Sequence, residues 1–116
     1  MASAVYAFDC DGTLEFGNPP GPVKIEQLMQ MSSRGIVVVI VSDSGNCARL
    51  WKENGGPFLH VSGGATSGDQ RTNALLAVKR MFQAERYVYV SDNPGDDKRS
   101  ADAGFEYVYP TMFVPP

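Results

Sequence analysis

The sequence predicts an α/β fold: a single doubly wound, five-stranded parallel sheet of order 5-4-1-2-3, with helices on both faces and no cap domain. Three observations predict it. Apolar runs of strand length alternate with helix-length segments of 3.6-residue periodicity. The run Ile36–Val41 is unbroken and mostly β-branched, as in a strand buried on both faces of a parallel sheet. The chain has 116 residues, the size of one domain, and shows no linker, repeat or low-complexity tract. Right-handed crossovers then turn the alternation into one sheet.

The elements follow in order. Ala4–Phe8 is the first strand. The turn-rich stretch Gly17–Pro22 leads into a helix over Val23–Ser32, with Ile25, Leu28, Met29 and Met31 at near-helical spacing. Gly35 closes that helix and Ile36–Val41 follows as the second strand. A helix over Asn46–Glu53 is stopped by Gly55-Gly56-Pro57. Phe58–Val61 is a short third strand and Ser62–Gly68 a loop. Asp69 is placed to cap a helix over Gln70–Gln83, whose apolar face is Ala74, Leu75, Ala77, Val78 and Met81. Tyr87–Val90 is the fourth strand. Lys98–Ala103 is a short helix ended by Gly104, Phe105–Val108 the fifth strand, and Pro110–Pro116 a Pro-rich tail.

Composition narrows the function classes. With 10 Lys and Arg against 13 Asp and Glu, net charge is −3, and no basic run marks a nucleic-acid footprint. Cys10 and Cys47 are the two cysteines; they match no zinc spacing and read as buried thiols kept reduced in a cytoplasm. No signal peptide and no membrane-length apolar run is evident, so the expected location is cytoplasmic.

In an open parallel sheet ligands bind at the carboxyl ends of the strands. The first strand ends in Phe8-Asp9-Cys10-Asp11-Gly12-Thr13, the second in Val41-Ser42, and the fourth in Ser91-Asp92-Asn93-Pro94-Gly95-Asp96-Asp97. Each has a bland reading: Asp, Asn, Pro and Gly form turns, and Ser42, Asp43 or Ser44 can cap a helix. In the order 5-4-1-2-3, however, strands 4, 1 and 2 are neighbours, so the three signals converge. Asp9, Asp11, Asp92 and Asp96 then form an anionic cluster that must take up protons or a cation. Hard oxygen ligands suit Mg²⁺.

These residues resemble motifs of the haloacid dehalogenase superfamily. Asp9-Cys10-Asp11-Gly12-Thr13 is similar to the first motif, Asp-x-Asp-Gly-Thr, and Ser42 to the Ser/Thr of the second. Tyr89-Val90-Ser91-Asp92-Asn93-Pro94-Gly95-Asp96, followed by Ala101-Asp102-Ala103-Gly104-Phe105, resembles the fourth motif and the short helix behind it, with Ser91 where Gly is usual. The cation of the third motif is Arg71 or Lys79. Arg71 lies in the first turn of its helix, at the active-site end, whereas Lys79 is about 12 Å further along at about 1.5 Å per residue. Geometry favours Arg71.

The resemblance implies a phosphomonoester hydrolase. Asp9 is the implied nucleophile, forming an aspartyl-phosphate, and Asp11 the general acid and base. Ser42 and Arg71 hold the phosphoryl oxygens. Mg²⁺ is held by the Asp9 carboxylate, the Asp11 backbone carbonyl and Asp92, with Asp96 in support directly or through water, or Asp97 in its stead. Glu15–Pro22 and Asp43–Asp69 leave no room for the cap of larger relatives. An open site suits a phosphorylated macromolecule, such as a phosphoprotein or nucleic-acid end, or a homo-oligomer whose neighbouring subunit is the cap. His60, Trp51, Met29 and Met31 read as packing residues, and Cys10 likewise. The glycine-rich Gly63–Gly68 lacks the Gly-Lys-Ser/Thr of a P-loop.

Three other readings compete, the third being a phosphotransferase or mutase, which must exclude water by closure and for which the sequence shows no evident lid. A catalytically silent binding module of the same fold would keep the strands without the chemistry. A signalling receiver domain has similar length and an acidic pair after its first strand, but needs an Asp after the third strand and a Lys after the fifth. Here Val61-Ser62-Gly63 and Tyr109-Pro110 stand at those places.

Overall fold

The computed structural model describes residues 2–42, 49, 52–53, 59–61 and 68–116. Its elements are β1 (Ala2–Phe8), α1 (Ile25–Ser33), β2 (Val37–Val41), β3 (Leu59–Val61), α2 (Gly68–Met81), β4 (Ala84–Val90), α3 (Asp96–Ala103), β5 (Glu106–Val108) and a 3₁₀ turn at Pro110–Met112. All strand pairings are parallel, in the order β3-β2-β1-β4-β5. This is the predicted order read from the other edge.

The central strand sets the architecture. β1 pairs with β2 from Val5 opposite Val37 to Phe8 opposite Ile40, and with β4 up to Phe8 opposite Val90. Its side chains alternate between two cores, as a pleated strand requires. Tyr6 and Phe8 join Val38, Ile40, Val88 and Val90 under α1, where Leu28 and Met31 are buried. Val5 and Ala7 join Val39, Val41 and Tyr89 under α2 and α3, which contribute Leu75, Val78 and Ala103. A strand with both faces covered has no polar alternation, hence the unbroken run that marks β2.

The helices are anchored at their ends. Glu15 reaches back from the loop after β1 and accepts from Ile25 N at 2.6 Å, while Lys24 N donates to Gln27 Oε1 at 2.8 Å. Two amides at the start of α1 that have no helical partner are thereby satisfied. At the other end of the chain, Gly104 takes φ +78° and lets α3 turn directly into β5. The tail packs: Phe113 meets the rings of Tyr6 and Phe8 edge-on, and Arg34 Nη1 donates to Pro116 O at 2.6 Å.

Several expectations need correction. β1 and β4 each begin earlier than their apolar runs, because ladder bonds carry polar residues into strands. α2 begins at Gly68, so Asp69 lies in its first turn rather than capping it. Met81, the last residue of α2, is half exposed, and Leu76 and Phe82 pack on the core instead. Met29 is also half exposed, one residue around the helix from the buried Leu28. α3 starts at Asp96, two residues before the expected Lys98. Cys10 is buried as expected, but its sulfur is disulfide-bonded rather than a free thiol. The helix expected over 46–53 lies mostly outside the described residues, of which 49, 52 and 53 are helical. Trp51, Cys47, Phe58 and the loop 62–67 also lie outside them.

Candidate active site

The ends of β1 and β4 build the first wall of a cleft. Asp9 N donates to Val90 O at 2.9 Å, carrying the β1–β4 ladder one residue past the strand and holding Asp9 at its carboxyl edge. The chain then turns sharply, with Thr13 N (3.0 Å) and Leu14 N (2.9 Å) both donating to Cys10 O. Gly12 makes this turn at φ +74°, and the Asp92 carboxylate fills the space beside it. A Cβ at Gly12 would fall 2.0 Å from Asp92 Oδ2. Glycine is therefore required twice, for its backbone angle and for the approach of Asp92. Asp11, partly exposed, accepts from Asn18 N at 2.9 Å.

The first turn of α2 supplies the cation. Arg71 is 3% exposed; its Nη1 donates to Val41 O at 3.0 Å, to Asp9 Oδ1 at 3.4 Å and to the Tyr89 hydroxyl. Burial works to lower its pKa, but the neighbouring Tyr89, Asp9 and Asp96 together raise it, so it stays charged. Lys79 is not at the site. Its Nζ sits 5.1 Å from the centroid of the Tyr87 ring, further along α2.

The loop after β4 completes the cleft. Ser91 Oγ donates to Asp96 Oδ2 at 2.6 Å and accepts from Asn93 N at 3.2 Å. The Tyr107 hydroxyl donates to Ser91 O at 2.7 Å. Arg99 Nη1 donates to Asp96 Oδ1 at 2.7 Å, so both oxygens of this buried carboxylate are engaged. Ser91 thus has a task that glycine could not perform. Asp97, next along, is exposed.

Asp9, Asp11, Arg71, Asp92, Asn93, Asp96 and Arg99 line one cavity of about 190 Å³. Of the residues singled out in the sequence, Ser42 is not among them. It is buried at the end of β2, where its N–H donates to Val61 O at 3.1 Å. His60 lies on the edge strand β3, apart from the cavity, and burial lowers its pKa. Arg99, Tyr89 and Tyr107 were not singled out. Arg99 carried a faint signal, three residues after Asp96 on one helix face. Tyr89 stands at the head of the segment that resembles the fourth motif but, like Tyr107, reads as core, as an aromatic within a strand does.

The charge on the cleft is unevenly shared. Burial pushes the Asp9 carboxyl up to about 6 against the pull of Arg71, and the like charge of Asp92 adds to the rise. Asp92 is also raised, by burial and then by the like charges of Asp11 and Asp96, against the pull of hydrogen bonding from its own backbone and from Asp9. The expected four-carboxylate cluster is therefore partly compensated from within, by Arg71 and Arg99. Among the described residues no group of three or more His, Cys, Asp and Glu forms a metal cage. Mg²⁺ does not need one: it takes one or two carboxylates and keeps several waters. Asp9 and Asp92 fit that demand, being two carboxyls that line one cleft and are both held above the usual carboxylate range chiefly by burial. Asp96 fits it poorly, with both oxygens taken.

No protein-family model matches the chain, and no curated protein does. Among the described residues no helix is long and apolar enough to cross a membrane. Among solved structures, the chain is similar to a hypothetical protein from Xanthomonas campestris, with a TM-score of 0.64 and 19% identity. The match covers 97% of this chain and 66% of that one. A likeness at this identity bears on the fold alone, and the fold it supports is the five-stranded parallel α/β sheet described above.

Proposed function

We propose that the chain is a Mg²⁺-dependent phosphomonoester hydrolase of the haloacid dehalogenase type, with Asp9 as its nucleophile. One observation carries the reading: Asp9 stands at the carboxyl end of the central strand with the Arg71 guanidinium 3.4 Å away, and the Asp92 carboxyl lines the same cavity. A nucleophile, a fixed positive charge and a second carboxylate at one point suit attack on a dianionic phosphate.

An Asp9 carboxylate oxygen bonds to phosphorus as the bond from phosphorus to the leaving oxygen breaks. Asp11 gives its proton to that oxygen, releasing the alcohol. Water then attacks the phosphorus of the aspartyl-phosphate and passes a proton to Asp11, and the bond to Asp9 breaks to free orthophosphate. Arg71 holds the phosphoryl oxygens throughout. Asp9, the Asp11 backbone carbonyl and Asp92 would hold Mg²⁺, which when bound offsets the charge that otherwise repels Asp9 from the phosphate. Asp96 acts at one remove, by fixing the loop that carries Asp92.

The cleft has no cap among the described elements, which favours substrates too large for an enclosed site. The test is chemical trapping. Reduction of the protein with borohydride during turnover of an aryl phosphate should convert residue 9, and no other aspartate, to homoserine in peptide mass spectra. Turnover without that product would remove the covalent step.

A further inference from the structure

We infer that Tyr89 is a positioning residue, whose hydroxyl holds the Arg71 guanidinium at the angle from which it serves Asp9 and the phosphoryl group. The inference rests on the phosphatase reading above and concerns a residue that no step of it uses.

Arg71 enters the cleft from the first turn of α2 and is itself 3% exposed, so protein groups rather than bulk water orient its guanidinium. One nitrogen, Nη1, meets three oxygens from three strands: Val41 O at the end of β2, Asp9 Oδ1 beyond β1, and the Tyr89 hydroxyl on β4. The carbonyl belongs to the backbone, and Asp9 is the reacting group. Tyr89 is therefore the one side chain of the three that can hold Arg71 in place without being consumed by the reaction. Its ring is fully buried between the sheet and the α2–α3 layer, which fixes the hydroxyl along with it. The Arg71 guanidinium also lies 5.9 Å from the centroid of that ring. A tyrosine hydroxyl in a core needs a polar partner, and here the partner is the site's own cation.

This arrangement also accounts for arginine at this place. A lysine carries its donors on one compact ammonium at the end of a flexible stem, whereas the planar guanidinium can meet fixed oxygens and still present further N–H groups to the cleft. Tyr89 and Arg71 should thus act as a unit.

The experiment uses the full chain with Mg²⁺ at neutral pH and compares wild type, Tyr89→Phe, Arg71→Lys, the double variant and Tyr87→Phe. Orthophosphate binding is measured by calorimetry and aryl phosphate hydrolysis by phosphate release. Tyr87 lies on the same strand, but its half-buried hydroxyl donates to Phe82 O at 2.7 Å, away from the cleft, so it controls for the loss of a hydrogen-bonded tyrosine hydroxyl. Tyr89→Phe should weaken orthophosphate binding and raise KM about tenfold, the worth of one hydrogen bond to a charged group, with a smaller change in kcat. In the Arg71→Lys background the same change should cost less than about twofold, because the partner is already gone. Tyr87→Phe should leave both constants unchanged.

Equal losses from Tyr89→Phe in both backgrounds, or no loss in either, would overturn the inference. Should Tyr89→Phe fail to fold, Arg71→Lys decides alone, since wild-type phosphate affinity with lysine would also overturn it. A wild-type protein that binds no orthophosphate would overturn the phosphatase reading and the inference together, whereas binding left intact in Tyr89→Phe overturns the inference only.

Discussion

Asp9 bears the cost of the cleft. Its carboxyl, 15% exposed, titrates near 6 rather than 3.8, so the folded state prefers the protonated form. A carboxyl with a raised folded pKa binds more protons folded than unfolded, and stability falls as pH rises from about 4 to about 6. At about 1.4 kcal/mol per unit, the ionised group costs up to about 3 kcal/mol at neutral pH. Asp9→Asn mimics the neutral form. In metal-free buffer it should match the wild type below about pH 4 and exceed it by up to about 3 kcal/mol at pH 7, measured by urea unfolding. Mg²⁺ should stabilise the wild type and leave the variant unmoved. A variant no more stable than the wild type at pH 7 would mean that Arg71 fully compensates Asp9. Gly12→Ala makes the converse case. Its methyl would displace the Asp92 carboxylate and strain a left-handed turn, costing about 1–2 kcal/mol from the backbone alone. Loss of Mg²⁺ affinity beyond that in proportion to stability should accompany it, read by metal titration of the folded variant.

At the scale of elements, the cleft depends on ties between neighbours more than on any one helix. Glu15 joins the loop after β1 to the start of α1, satisfying the Ile25 amide. Glu15→Ala should lower stability by about 1 kcal/mol, measured by thermal unfolding, with Mg²⁺ affinity preserved. A larger loss of affinity than of stability would show the loop to be part of the site. Much at this scale could be read from residues. The β-branched run at Ile36–Val41, the Asp-x-Asp-Gly turn and the place of Arg71 in the first turn of α2 each follow from local chemistry. The network behind Asp96 could not be read. Ser91, Arg99 and Tyr107 meet across a loop, a helix and an edge strand, and no local pattern announces a contact between elements. The failure of Ser42 to reach the cavity has the same cause: a strand's end is legible, but the direction of its last side chain depends on packing. Arg71 and Lys79 could be separated because distance along a helix is known in advance.

The whole molecule is a parallel sheet whose central strand delivers the chain's first acidic residue to the carboxyl edge, between the ends of β2 and β4. The order β3-β2-β1-β4-β5 places β4 and β2 beside β1, and this alone brings Asp92 and the Val41 carbonyl to Asp9 and Arg71. The receiver-like reading does not gain from this geometry. β5 ends at Val108 and passes through Tyr109 into the 3₁₀ turn at Pro110, with no lysine at that edge. The silent-module reading has to explain why the fold holds a carboxyl pushed up to about 6 by burial against the pull of Arg71, when an asparagine would fit the same place. Strain of this kind is retained where a site uses it. The most direct test is phosphate release from an aryl phosphate, with and without Mg²⁺, by the wild type and by Asp9→Asn. Release that needs Mg²⁺ and falls to background in Asp9→Asn, with the variant folded and at least as stable as the wild type, is the predicted result. Equal release by both proteins, or wild-type release indifferent to Mg²⁺ and chelator, would contradict the account.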